Sequence, residues 1–280
     1  MVGKVVVITG GTSGIGQVAA TEIARQGARI VLVARDHARA EATLAELWEA
    51  SPGLSHRAVY GDLSSIAETR RIAAQIASVE PRIDVLINNA GALFNRRQVT
   101  PEGLEMTFAV NHMAYFGLAE GLRETLSRSA PARIVNTASD AHRGARLDLD
   151  DLQSERGYSG FRVYGRSKLC NILFTRELSR RLEGDGVTVN CLHPGFVATR
   201  FGDGSGGLLQ ALIPIAKLAA ISPKKGAETI IHLALSPQVS QSSGLYFHRC
   251  QPETPSPEAL DDATAAALWS RSEALAAAVA

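Results

Sequence analysis

Short runs of apolar, largely β-branched residues recur along this chain with longer amphipathic stretches between them, and that alternation leaves few folds open. The runs read as strands at Val5–Thr9, Arg29–Ala34, His56–Gly61, Asp84–Ile87, Arg133–Thr137, Val187–Leu192 and Gly244–Phe247. Several are apolar at consecutive positions, as strands covered on both faces must be. The intervals read as helices at Gly14–Gln26, His37–Glu49, Ile66–Val79, Pro101–Arg128, Tyr158–Leu182, Lys224–Leu235 and Pro257–Ala276. Gly27, Gly184 and Gly186 stand where a left-handed C-cap is least strained. Strands alternating with helices build βαβ units. The expected fold is therefore α/β, a single Rossmann domain over residues 1–280 with a doubly wound, seven-stranded parallel sheet and helices on both faces. Two irregular stretches, 140–159 and 200–222, are expected to wall a substrate site outside the strand C-termini, and 257–280 reads as a helical tail on the body.

A chain of 280 residues buries enough surface to fold without disulfides or a structural metal. Its 45% apolar and 20% charged residues exclude intrinsic disorder. Lys and Arg number 29 against 28 Asp and Glu, and aromatics make up only 5%, so neither a phosphate-binding field nor a base-stacking platform is implied and nucleic acid is not an expected partner. Cys170, Cys191 and Cys250 show no CxxC or zinc spacing, which points to free thiols in a reducing, cytoplasmic compartment. The histidines form no HExxH motif, so no metal site is expected. Val5–Ile8 is too short for a signal-peptide core, and no run approaches the ~18 apolar residues of a transmembrane helix. Ser139, Asp140 and His142 lie close together without a GxSxG elbow, and His142 reads as a surface-loop histidine rather than a hydrolase base.

The first strand runs into TGGTSGIG, Thr9 to Gly16. Gly10, Gly14 and Gly16 let the backbone around Thr12, Ser13 and Ile15 approach a pyrophosphate at the start of the first helix. About 20 residues on, where an NAD site places a carboxylate on the ribose, the second strand is followed by Arg35, whose guanidinium can pair with a 2′-phosphate. That favours NADP(H) over NAD(H), although Asp36 and Glu41 stand nearby and Arg35 is also readable as a solvated helix-start arginine. Tyr164 and Lys168, four residues apart in a helix, share one face, and an ammonium beside a phenol favours the phenolate.

TGGTSGIG, Asp62, NNAG at Asn88–Gly91, Asn111, Ser139, the Tyr164/Lys168 pair and HPG at His193–Gly195 together resemble the short-chain dehydrogenase/reductase family across nearly the whole chain. VNHMAYFGL from Val110, the 25-residue gap from Ser139 to Tyr164, YGRSKLCNILFTREL from Tyr164 and HPGFVAT from His193 resemble its retinol dehydrogenase and protochlorophyllide reductase branch. The resemblance implies Tyr164 as acid/base, Lys168 binding the nicotinamide ribose and lowering the tyrosine pKa, Ser139 polarising a substrate carbonyl and Asn111 holding a proton-relay water. It also implies that Asp62 and Leu63 meet the adenine, that Asn89, Ala90 and Gly91 support the cofactor, and that Pro194, Gly195, Val197 and Thr199 border the nicotinamide. The expected activity is interconversion of a carbonyl and an alcohol on a lipophilic or bulky small molecule such as a retinal-like aldehyde. A non-catalytic NADP(H)-sensing or scaffold protein, or a protochlorophyllide reductase, is the alternative. Related enzymes pair through the helices that precede and carry the tyrosine, so a homodimer or homotetramer is expected. Membrane-bound retinol dehydrogenases carry an N-terminal anchor ahead of the glycine loop, whereas here the first strand begins almost at Met1, so a soluble protein is expected. The apolar positions between Leu208 and Leu218 suit a pocket lid, an interface or a membrane contact.

Overall fold

The computed structural model describes residues 1–195 and 221–279. Val197, Thr199, the 208–218 segment and most of the 200–222 stretch lie outside the described residues. The strands are β1 (Val5–Thr9), β2 (Arg29–Ala34), β3 (Arg57–Tyr60), β4 (Val85–Asn88), β5 (Ala132–Thr137), β6 (Val187–His193), β7 (Tyr246–His248) and β8 (Gln251–Pro252). They form one sheet in the order β3-β2-β1-β4-β5-β6-β7-β8. β3 through β7 are parallel, and β8 returns antiparallel to β7. The strand order reverses beside β1, where β2 lies on one side and β4 on the other, and a crevice at such a switch point is where open α/β sheets bind nucleotides.

The helices are α1 (Gly14–Arg25), α2 (His37–Ala50), α3 (Ile66–Val79), α4 (106–128), α5 (Gly160–Arg181), α6 (Pro223–Leu235) and α7 (Asp262–Ala277). Period-two alternation explains the two cores: Val5 and Val7 of β1 face a cluster with α3, α4, α5 and α7, while Val6 and Ile8 face α1, α2 and α6. The strands read as continuous apolar runs because both faces are buried.

Several boundaries depart from the sequence reading, three of them where a side chain bonds the backbone. Residues 101–105 form a turn rather than helix, since the buried Glu105 carboxylate accepts from the Thr107 and Phe108 amides and caps α4 at Met106. Tyr158 and Ser159 stay outside α5, because the Tyr158 hydroxyl is held between Phe94 O at 2.9 Å and Glu105 Oε1 at 3.1 Å, which share its one proton. The tail breaks at Asp261, whose side chain accepts from Ala263 and Thr264 and starts α7. β8 was not foreseen: Arg249 and Cys250 take positive φ values of 49° and 64° and turn the chain back after β7.

The middle of α5 is covered by the chain itself. Every residue from Ser167 to Thr175 is buried, more than two turns of helix. α7 lies across this stretch, with Trp269 stacked on Phe174 at 5.8 Å and edge-on to Phe116 at 5.0 Å. Arg70 of α3 donates to the Ala276 and Val279 carbonyls and ties down the end of α7.

At the opposite end of the sheet, Asp84 joins β1 to β4. Its carboxylate accepts from Lys4 Nζ (2.8 Å), the Val5 amide (2.9 Å) and Arg82 Nε (2.7 Å). Burial opposes its ionisation, but the bonds from Arg82, Lys4 and Val5 outweigh it and hold the carboxyl below its usual value. The unfolded chain is thus protonated first as pH falls, and the stability that Asp84 contributes above about pH 4 is lost through the acid range below it. In thermal melts, Asp84→Asn is expected to cost roughly 1.5–3 kcal/mol at neutral pH and to flatten the acid dependence. An equally steep acid loss in the variant would assign that dependence to other carboxylates.

Candidate active site

The crevice begins at the turn from β1 to α1. Gly10 and Gly14 have φ values of +64° and +56°, conformations open to glycine. A Cβ on Gly10 would lie 2.9 Å from the Ala90 backbone, and one on Gly16 would lie 2.2 Å from Gly10 O and 2.5 Å from Asn89 Nδ2. Thr12 and Ile15 are half-buried and Ser13 is exposed. The Ser13 side chain makes no capping hydrogen bond and no acidic residue stands in the first turn, whereas Asp36, Ser65, Ser222 and Asp261 cap α2, α3, α6 and α7. Among the described residues the leading amides of α1 therefore lack a side-chain acceptor and suit a pyrophosphate. Asn89 braces this turn: its Nδ2 donates to Thr9 O and Gly10 O, while the Asn89 and Ala90 amides donate to Thr9 Oγ1 at 2.9 Å.

At the ends of β2 and β3, Arg35 Nη1 lies 3.7 Å from Asp62 Oδ2, and both side chains are well exposed. Asp36 accepts from the Arg39 amide as the cap of α2, and Glu41 accepts from the Tyr60 hydroxyl at 2.7 Å. Leu63 packs partly onto the core.

Beyond the switch point, the polar candidates come together. Ser139 lies near enough to Tyr164 to favour ionisation of its phenol. Lys168, buried on α5, donates from Nζ to Thr137 O at 2.9 Å and lies 5.6 Å from the centre of the Tyr164 ring. The expected depression of the tyrosine pKa by the ammonium is corrected here. Burial raises Tyr164 to about 12, against the smaller lowering effect of Ser139, and burial lowers Lys168 to about 7. Tyr164 is thus a neutral phenol at neutral pH, the form that donates a proton. Asn111 sits in a π-helical segment, Ala109–Met113, inside α4. Its Oδ1 accepts from the Ala92 amide at 2.8 Å, and its Nδ2 donates to Ala92 O and to Ser167 Oγ. A Cβ on Gly91 would stand 3.4 Å from both Asn111 Oδ1 and Lys168 Nζ, so that glycine keeps the backbone close to this group. Pro194 and Gly195 are half-buried at the end of β6, where His193 Nδ1 accepts from the Asp140 and Gly195 amides.

His142 is the second correction. It is fully buried rather than a surface-loop residue, because both ring nitrogens are bonded inside the protein. Sequence reasoning also missed Tyr115, whose hydroxyl donates to Ala90 O at 2.8 Å, and Asn171, which donates to Thr137 O beside Lys168. Helical spacing was the available signal: Tyr115 follows Asn111 by four residues and Asn171 follows Lys168 by three. Among the described residues no cluster of His, Cys, Asp or Glu could hold a metal ion, and no helix is long and apolar enough to cross a membrane.

A nucleotide crevice at the switch point, with a Ser–Tyr–Lys group beside it, defines an α/β oxidoreductase, and residues 4–205 match the short chain dehydrogenase family. The chain belongs to that family, and it is an oxidoreductase acting on CH–OH groups with a nicotinamide cofactor of the NAD(P) type. Its similarities lie in the retinol dehydrogenase-like branch. It is 43% identical to retinol dehydrogenase 14 of Mus musculus, over 98% of this chain and 86% of that protein, and 40% identical to retinol dehydrogenase 13 of Homo sapiens, over 98% and 84%. Among solved structures, an uncharacterized protein from Mycobacterium Paratuberculosis superposes with a TM-score of 0.79 at 31% identity, covering 99% of this chain and 94% of that one. The Pseudomonas aeruginosa RhlG/NADP active-site complex superposes with a TM-score of 0.70 at 28% identity, covering 88% and 94%.

Proposed function

We propose that this protein is an NADP(H)-preferring enzyme that interconverts a carbonyl and an alcohol on a lipophilic or bulky small molecule, with Asn111, Ser139, Tyr164 and Lys168 as its catalytic residues. The observation that carries this reading is Lys168, buried on α5 with Nζ 5.6 Å from the centre of the Tyr164 ring and bonded to Thr137 O, with Ser139 acting on the same phenol. Gly10, Gly14 and Gly16 with Thr12, Ser13 and Ile15 would hold the pyrophosphate, Arg35 and Asp62 the adenosine end, and Gly91 and Pro194–Gly195 the nicotinamide end. Bound there, the cofactor supplies or takes up the two electrons of the redox step. The Ser139 and Tyr164 hydroxyls polarise the substrate carbonyl, and Tyr164 Oη gives its proton to the developing alkoxide. In the oxidising direction the same oxygen has first to give up its own proton to its surroundings and then receives the alcohol proton. Lys168, with a pKa near neutrality, can exchange a proton at Nζ with its surroundings as Tyr164 is recharged.

Preference for NADP(H) is supported by Arg35: Asp36 is engaged as a helix cap and Glu41 with Tyr60, and the one carboxylate facing the guanidinium among the described residues, Asp62 at 3.7 Å, forms an exposed, weak pair that a 2′-phosphate can displace. An apolar substrate is supported by Phe161, 61% exposed and one helical turn before Tyr164, and by the retinol named in the relatives. The test is titration with NADPH and NADH, followed by NADPH oxidation against a panel of aldehydes and ketones. NADPH should bind more tightly and turn over with apolar aldehydes. Arg35→Ser should weaken NADPH binding by about 10- to 100-fold with little change for NADH, the scale of a lost charge-assisted hydrogen bond. NADH preference in the unaltered protein would overturn the cofactor assignment, and tight binding with no turnover on any carbonyl would favour a sensing role.

A further inference from the structure

Two buried histidines take no part in the proton transfer, yet each adjoins a residue that does. His112 follows Asn111 in the π-helical segment, and His142 lies three residues after Ser139. Both are bonded to the C-terminal segment. His112 Nε2 and Ser272 Oγ of α7 share a hydrogen bond of 2.8 Å across 160 residues of sequence. His142 Nδ1 donates to Ser139 O at 2.7 Å, and its Nε2 accepts from the Ser256 amide at 3.1 Å. The two bonds of His142 define one neutral tautomer, because a carbonyl can only accept and an amide N–H can only donate. Arg143, the next residue, donates to Glu253 Oε1 and Thr254 O of the same segment.

We propose that the C-terminal segment is the mount of the active site, with His112 and His142 as positioning residues that fix Asn111 and Ser139 against it. This rests on the roles assigned above to Asn111 and Ser139. The geometry favours this over simple packing. A helix that only covered apolar surface would need Trp269 and Leu268 but no hydrogen bond to the one irregular turn of α4. Likewise, His142 bonds the main chain of Ser139 itself, so a shift at Ser256 is passed to the backbone that aims the serine hydroxyl at Tyr164. Burial keeps both rings neutral, lowering His112 to about 3 and His142 below its usual value.

The experiment uses the full chain in four forms: unaltered, Ser272→Ala, His142→Leu and His142→Asn, the last keeping a donor where Nδ1 sits. Turnover with NADPH and an aldehyde, NADPH affinity, and hydrogen–deuterium exchange of peptides covering 106–116 and 138–145 are read together. Ser272→Ala and His142→Leu should each lower kcat roughly tenfold, since small misplacements of catalytic groups are costly. NADPH affinity should stay within about twofold, because the pyrophosphate turn lies elsewhere. Exchange should rise in 106–116 for Ser272→Ala and in 138–145 for His142→Leu, and His142→Asn should recover part of the loss. Unchanged kcat and unchanged exchange at those peptides would overturn the proposal. So would a uniform rise in exchange with kcat and NADPH affinity falling together, which is the mark of general destabilisation. If the unaltered protein turns over no carbonyl, the catalytic reading fails, while the exchange pattern still decides whether the segment is the mount.

Discussion

Tyr164→Phe is expected to lower kcat by about 10²–10⁴-fold while leaving NADPH binding within about twofold, the range that removal of a positioned general acid carries. The substitution deletes one oxygen, the atom that would supply the proton. Phenylalanine keeps the ring that Lys168 Nζ approaches to 5.6 Å, so the buried ammonium retains its neighbour and its bond to Thr137 O. Steady-state kinetics with fluorescence titration of NADPH check both halves of the expectation. Activity within tenfold of the unaltered enzyme would remove Tyr164 from the proton-transfer step. Loss of binding together with activity would show the residue holding the crevice open instead.

Gly16→Ala should have the second large effect, through sterics alone. The added Cβ would stand 2.2 Å from Gly10 O and 2.5 Å from Asn89 Nδ2, and the nearer contact is backbone that cannot rotate away. The first turn of α1 must then move off the end of β1. We expect a stability loss of about 1–3 kcal/mol, the usual cost of overpacking. A further loss of roughly 100-fold in NADPH affinity is expected, because displaced amides no longer converge on the pyrophosphate. Denaturant melts and the same titration separate the two. Unaltered affinity in a folded variant would mean that the cofactor does not lie over this turn.

The fold was legible because its strands are buried on both faces, and Val5 to Ile8 could alternate between two cores only as continuous apolar residues. The glycine turn was legible because close backbone approach admits no other residue. The missed features depend on contacts distant in sequence. Glu105 caps α4 by bonding its own neighbours, but its burial depends on Tyr158, 53 residues away. His142 looks like any polar loop residue until Ser256, 114 residues on, closes over it. Spacing reports that Lys168 shares a face with Tyr164 but not that its Nζ is bonded to Thr137 O. Burial, invisible in spacing, then dominates both groups.

The wrapping of α5 by α7 also orders events during synthesis. Residues 262–277 follow every other described element along the chain, yet Trp269 closes the aromatic cluster around Phe174 on the helix that bears Tyr164 and Lys168. Until α7 emerges and packs, the apolar flank of α5 that Trp269 covers faces solvent, and it is a surface on which chaperones or misassembly would act.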